Sequence, residues 1–267
     1  METTIAKSPL FRAGTALLVI GSIFGSYVLS GPRNRRRQTQ VFEKTQEDLD
    51  QNLIAPANGT FPLVWSVIYL GNQALAVHQA LPSQRDNPRY GRAMPWLAAS
   101  YALNALFGYF FSQDTKTGRV GSSLTTIATL PPALLLHRQL EAGRTPVPQP
   151  EALLRKSVSL YAGWLTVAST VSVGNLLLQA GYRVPPRRAA GWAYAMLPVT
   201  GLLGLTVAKR LNDPYYLLPF VAAFLGIAAK QSGKHNGVAA LAGTWAVITA
   251  ARLGQQARKA SPAGLPG

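Results

Sequence analysis

The sequence contains no cysteine, which excludes disulfides, thiolate nucleophiles, cysteine-ligated zinc and iron–sulfur clusters. It is also poor in acid, with 10 Asp and Glu against 26 Lys and Arg and a formal net charge of +16. Position sharpens the shortage. Residues 13–32, 51–84, 93–113, 120–136, 157–182, 189–208, 214–229 and 235–251 carry no Asp, Glu, Lys or Arg at all. A carboxylate proton relay, a sodium-coupled carboxylate site or a paired-carboxylate hydrolase therefore has no residues to use inside these stretches. Histidine is equally sparse. His78 and His137 fall at the ends of apolar stretches and His235 in a short loop, with no metal-ligand spacing among them. Each is expected at a membrane interface, and no metal site is expected.

What remains is a series of apolar runs. Most reach or approach the ~20 residues needed to cross a ~30 Å hydrocarbon layer. The two shorter ones, 214–229 and 235–251, are extended by Lys230 and Arg252, whose stems can snorkel from the ends. The count is eight, so both termini fall on one side. The predicted fold is all-α, a polytopic membrane helix bundle. The mean hydropathy of +0.12 is modest because Ala and Gly fill the spans while Arg and Gln fill the loops. Small residues suit close helix packing in lipid. The basic residues lie between the apolar runs, as juxtamembrane anchors do, so the expected partner is the lipid bilayer and not nucleic acid. The cluster Arg33, Arg35, Arg36 and Arg37 suits anionic headgroups.

The first span, 10–29, carries a GxxxG pair at Gly21 and Gly25. It also reads as a signal-peptide core, with Val28 and Ser30 before a cleavage point. Its length and the four Arg that follow oppose that reading. The polar loop 31–60 holds Glu43, Glu47, Asp48 and Asp50, enough for a short surface helix, before Pro56, Asn58 and Gly59 break the chain. The later spans are expected at 61–81, 94–112, 121–140, 158–181, 191–209, 215–229 and 237–252. Pro131, Pro132, Pro198 and Pro219 fall inside them and are expected to kink them.

Polar and aromatic residues inside the spans recur at helical spacing. Phe61, Trp65, Tyr69 and Asn72 share one face of the second span. Tyr101, Asn104, Phe107, Gly108 and Phe111 share one on the third, and Trp164, Ala168, Ser172 and Asn175 one on the fifth. Rings with a few amide donors suit a flat, apolar ligand with polar edges. The same pattern equally serves packing aromatics and interhelical hydrogen bonds.

Three segments resemble one family. FPLVWSVIYLG from Phe61 resembles FGPVWxxLY, YALNALFGYFF from Tyr101 resembles ALNxxWxxxFF, and LYAGWLTVAS from Leu160 resembles PYxxWxxFA. These are the second-, third- and fifth-helix motifs of the tryptophan-rich sensory protein or translocator protein (TspO) family. They occur in family order, and IAPANGTFPLVWSVIYLG and HQALPSQRDNPR look like its extended bacterial branch. The resemblance covers roughly residues 10–179. It implies a five-helix core at 1–181, with residues 182–267 adding about three further transmembrane helices and a polar tail. It further implies a non-enzymatic protein of the bacterial inner membrane that binds haem or another porphyrin, in a sensory, regulatory or transport role. By position, Trp65, Tyr69, Asn104, Trp164 and Ala168 match the family's ligand-binding residues. Phe107 stands where the family has Trp, and Ser172 where it has Asn. The first span and its loop lack the family's Trp- and Pro-rich pattern. Leu178, Tyr182 and Arg187 fit a loose sterol-contact pattern that the family carries at this place.

Two other readings differ in class. One is an accessory subunit, whose extra helices pack within a homodimer or a larger membrane complex. The other is an enzyme that degrades bound porphyrin, which would show light- or oxygen-dependent loss of porphyrin absorbance.

Overall fold

In the computed structural model of the protein the described residues are 8–29, 51–113, 115–182 and 186–260, so the Arg33–Arg37 cluster and the surface helix expected at 38–50 lie outside them. Among them all regular structure is helical. Eight α-helices follow in order: α1 Pro9–Leu29, α2 Thr60–His78, α3 Pro88–Phe111, α4 Lys116–Gln139, α5 Glu151–Gln179, α6 Pro186–Leu211, α7 Leu218–Gln231 and α8 Asn236–Ala260. Short 3-10 turns at Pro82–Gln84 and Pro214–Leu217 precede α3 and α7.

Local chemistry sets several boundaries. The Asn87 side chain accepts from the Arg89 N–H at 3.2 Å, with Pro88 at the first helical position of α3. Thr115 caps α4 by accepting from the Gly118 N–H at 3.0 Å. Asp213 does the same for the turn before α7, accepting from the Tyr215 N–H at 2.9 Å. Pro131, Pro132 and Pro198 stand inside helices as expected, and so does Pro95. Pro219 does not. It occupies the first turn of α7, where no backbone hydrogen bond is lost and no kink is required.

Among the described residues four helical segments are long and apolar enough to cross a membrane: Thr60–His78, Glu151–Gln179, Ala190–Leu211 and Asn236–Gln256. The other four apolar stretches of the sequence are helical as well. Helix α1 spans 21 residues, with Arg12 its only charged residue. Helices α3 and α4 are long but diluted by Ser, Thr, Gly and Tyr. At 14 residues α7 is about 21 Å long.

Helix α5 is the centre, with most of its residues from Glu151 to Gly174 buried. It packs against α2, α4, α6, α7 and the Pro214–Leu217 turn, while α1 packs on α2 and α3. Close approach is possible because the facing positions are glycine. A methyl group at Gly71 would overlap Ser157 Cβ, and one at Gly163 would overlap the Tyr216 carbonyl. One buried cluster gathers Val19, Leu75, Tyr90, Met94, Leu136 and Val158. The other joins Ile68, Tyr161 and Trp164 to Phe220, Phe224 and Val238, so side chains before and after residue 181 share one core.

The two ends of the bundle are fixed by polar clasps. At one end the Arg12 guanidinium donates to the carbonyls of Gln79 (3.1 Å), Gln84 (2.6 Å) and Arg85 (3.0 Å), and Gln79 Nε2 donates back to the Arg12 carbonyl (2.8 Å). This pins the start of α1 to the α2–α3 turn. At the other end Asn52 donates to the Val171 carbonyl (3.0 Å) and to Asn175 Oδ1 (2.8 Å), and Gln231 donates to the Leu53 carbonyl (3.0 Å). Residues 52–57 thereby lie across the ends of α5 and α7.

Candidate ligand-binding site

Helices α2, α3 and α5 bring a group of aromatic rings together. Trp65 stacks on Tyr69 one turn later, with ring centroids 4.8 Å apart. The other side of Trp65 meets two rings of α5, Trp164 edge-on at 6.5 Å and Tyr161 tilted at 6.2 Å. Phe61 meets Trp164 edge-on at 5.6 Å, and Tyr101 of α3 stacks on Tyr161 at 5.9 Å. Trp164, Tyr161 and Tyr101 are fully buried, whereas Trp65 and Tyr69 are half-buried. The rings therefore run from the centre of the bundle to its α2 face, with Trp65 as the outer layer.

The polar atoms within this group are mostly without partners. Trp164 Nε1, Tyr161 Oη, Tyr101 Oη, Ser100 Oγ and Asn72 Nδ2 are all buried and have no hydrogen-bond partner. Asn72 Oδ1 is engaged, accepting from Ser157 Oγ at 3.0 Å. Asn72 approaches the Tyr101 hydroxyl, and Ser100 and Asn104 approach that of Tyr161, but without hydrogen-bonding geometry. Buried donors and acceptors left unmade cost about 1–3 kcal/mol each, so five in one place call for a reason.

The residues singled out by sequence thus divide. Trp65, Tyr69 and Trp164 meet directly, and Asn104 joins them through Tyr161. Phe107 instead stacks on Phe111 at 5.3 Å nearer the end of α3, where Phe111 is 40% exposed. Ala168 and Ser172 continue the Trp164 face of α5 by one and two turns, half-buried and buried respectively. Leu178 is half-buried and Tyr182 exposed, and the Arg187 side chain lies outside the described residues. Tyr161 was missed by sequence reasoning, although its position three residues before Trp164 puts it on the same helix face. Near the far ends of α3, α4 and α5 a cavity of about 40 Å³ is lined by Phe110, Arg119, Ser122, Ser123 and Asn175. It suits water better than an organic ligand.

Two buried ionic groups sit at the end of the bundle that carries Arg12. Glu151 is gripped by Arg89 (2.8 and 3.1 Å), Arg155 (2.8 and 3.1 Å) and Asn87 (3.0 Å). Asp213 Oδ2 accepts from His137 Nε2 at 2.7 Å and from the Ser159 hydroxyl. His137 is only 1% exposed, so its expected place at the interface is corrected. It lies inside because a carboxylate 76 positions away waits for it. Ser, His and Asp meet here without forming a nucleophilic triad. Both Ser159 and His137 address the same carboxylate oxygen, so no base stands against the hydroxyl. His78 is paired with Tyr90 at 2.7 Å.

A family model described as TSPO-like protein matches residues 13–254, from within α1 to within α8. No curated protein and no solved structure matches the chain.

Proposed function

The chain belongs to the TSPO-like family, and on that premise we propose that this integral membrane protein binds a flat tetrapyrrole, such as haem or protoporphyrin, between α2, α3 and α5. The reading rests above all on the five unpartnered buried polar atoms set around the Trp65–Trp164 ring group. Stacked rings supply faces for a macrocycle, and the indole N–H, the two phenols and the amide supply partners for its polar edge. Because the rings touch, entry requires Trp65 and Tyr69, the half-buried pair, to move off the buried Tyr161 and Trp164. The role is non-catalytic, in sensing, regulation or transport, in a bacterial inner membrane. The accessory-subunit reading is the one that failure of ligand binding would favour.

Titration with protoporphyrin in mild detergent tests this. Tryptophan emission should be quenched saturably. Aromatic stacking contributes about 0.5–1.5 kcal/mol beyond area burial, so Trp65→Leu or Trp164→Leu should weaken binding about three- to tenfold. Trp→Phe should cost less, since a ring remains. Trp245 serves as the control, because it packs against Phe224 and Gly201, outside the ring group. Equal losses from Trp245→Leu, or quenching that never saturates, would mean porphyrin dissolved in the micelle.

Asn104 provides a second measurement. It is 6% exposed and faces the bundle interior. Interhelical polar contacts in membranes net about 0.6 kcal/mol, so Asn104→Leu should lower the thermal midpoint by only about 2 °C. Porphyrin affinity should fall more clearly, because Asn104 stands beside the Tyr161 hydroxyl. Unchanged affinity would place the ligand away from α3.

A further inference from the structure

Helices α6 and α8 run parallel, as a ladder of contacts shows. The Tyr194 hydroxyl lies against Gly237 and the Trp245 ring lies over Gly201. One turn further on, the two helices line an open groove of about 450 Å³. Its α6 wall is Leu205, Thr206 and Lys209, and its α8 wall includes Ile248, Arg252 and Gln255. Depth orders these residues by polarity. Lys209 and Arg252 lie within four residues of the ends of the apolar segments Ala190–Leu211 and Asn236–Gln256, where the headgroups of a surrounding bilayer would meet them. Leu205 and Ile248 lie a turn deeper. Leu202 and Val247, 57% and 68% exposed, continue the apolar surface inward.

Among the described residues no carboxylate lines the groove with these two cations. The chain holds a single acidic residue after Glu151, namely Asp213. That one is buried and committed to His137, Ser159 and the Tyr215 N–H. Two positive side chains on facing walls, above an apolar slot open to hydrocarbon, are complementary to a molecule with an anionic head and an apolar tail. A second copy of this chain would bring the same uncompensated Lys209 and Arg252 to the contact. A soluble anion would leave the apolar wall unused.

We infer that the α6–α8 groove is a binding site for one anionic phospholipid. Its phosphate sits between Lys209 and Arg252, with Thr206 and Gln255 as further donors, and an acyl chain lies along Leu205 and Ile248. The site stands apart from the ring group of α2, α3 and α5, so either can fail without the other.

The test is retention of lipid by the full chain, read by native mass spectrometry after extraction from vesicles of phosphatidylglycerol and phosphatidylcholine in equal parts. One phosphatidylglycerol should remain per chain, in preference to phosphatidylcholine. Each basic residue near a membrane surface is worth about fivefold, so Lys209→Gln with Arg252→Gln should reduce retention roughly 25-fold. Arg138→Gln, an exposed cation elsewhere on the chain, should leave it unchanged. Ala251 is an exposed residue lining the groove, so Ala251→Trp should block the slot with both cations in place. Thermal midpoints in phosphatidylcholine alone would establish that the variants fold. Equal retention of both lipids, undiminished retention by the double variant or by Ala251→Trp, or displacement by free glycerophosphate would each overturn the assignment. So would a second protein copy in place of the lipid.

Discussion

Glu151→Ala should destabilise the protein by about 3–5 kcal/mol, the usual cost of removing one partner from a buried ion pair. The carboxylate is 4% exposed and accepts five hydrogen bonds, four of them from the guanidinium groups of Arg89 and Arg155. The geometry is cooperative. Arg89 grips both oxygens from the first turn of α3, while Arg155 reaches back one turn along α5. Arg155 also donates to the Thr145 carbonyl at 2.9 Å, closing the linker before α5 over the same site. Truncating Glu151 leaves Arg155, 4% exposed, as an uncompensated buried charge. It also removes the tie between the starts of α3 and α5. The thermal midpoint in detergent should fall by about 10 °C. Glu151→Gln keeps the shape and some of the hydrogen bonds, so it should lose less. A shift under 2 °C for Glu151→Ala would mean that water replaces the carboxylate at little cost.

The helices were legible because charge is excluded from their apolar cores, and their ends were less so for the same reason. The first span, expected at 10–29, is Pro9–Leu29. Helix α5, expected from residue 158, begins at Glu151, because Glu151 and Arg155 satisfy each other and let charge enter the helix. Helix α3 starts at Pro88 and not at 94, since the Asn87 cap and Arg89 carry it outward. Helical spacing correctly placed Trp65, Tyr69 and Asn72 on one face. It said nothing of which face meets which, so the stacking of Tyr101 on Tyr161 was hidden. The long-range ionic contacts were hidden too. Nothing local marks Asp213 as buried, because it follows Asn212 in what reads as a polar turn. The partner from α4, together with Ser159 and the Tyr215 N–H, makes its burial tolerable.

That partner gives the second large effect. Asp213→Ala should cost about 3–5 kcal/mol, because it strands His137 in the interior and removes the cap of the turn before α7. The His137 Nδ1 already has no partner, so Nε2 makes its one hydrogen bond. The contact joins α4 and α5 to the 212–217 turn, which continues into Tyr216. There the Tyr216 hydroxyl bonds Thr166 Oγ1 at 2.6 Å, two residues beyond Trp164. The turn therefore braces the helix that carries the deepest rings of the candidate site. Loss of Asp213 should loosen α6–α8 from α5 before it disturbs α2. Acid should act in the same direction. Burial by itself would raise the Asp213 pKa, but the hydrogen bond and charge of His137, with Ser159 and the Tyr215 N–H, hold it below the ordinary carboxylate value of about 3.9. A depressed folded-state pKa means that the stabilisation is present above that ordinary value and is lost as pH falls through the folded one. The thermal midpoint of the wild type should therefore drop as pH is taken from about 5 to below 3. The Asp213→Asn variant should begin lower and lose less over that range, since it has no carboxylate to protonate. Parallel curves for the two proteins would show that acid acts elsewhere, and an unchanged midpoint in Asp213→Ala would deny the contact any part in holding α6–α8 to α5.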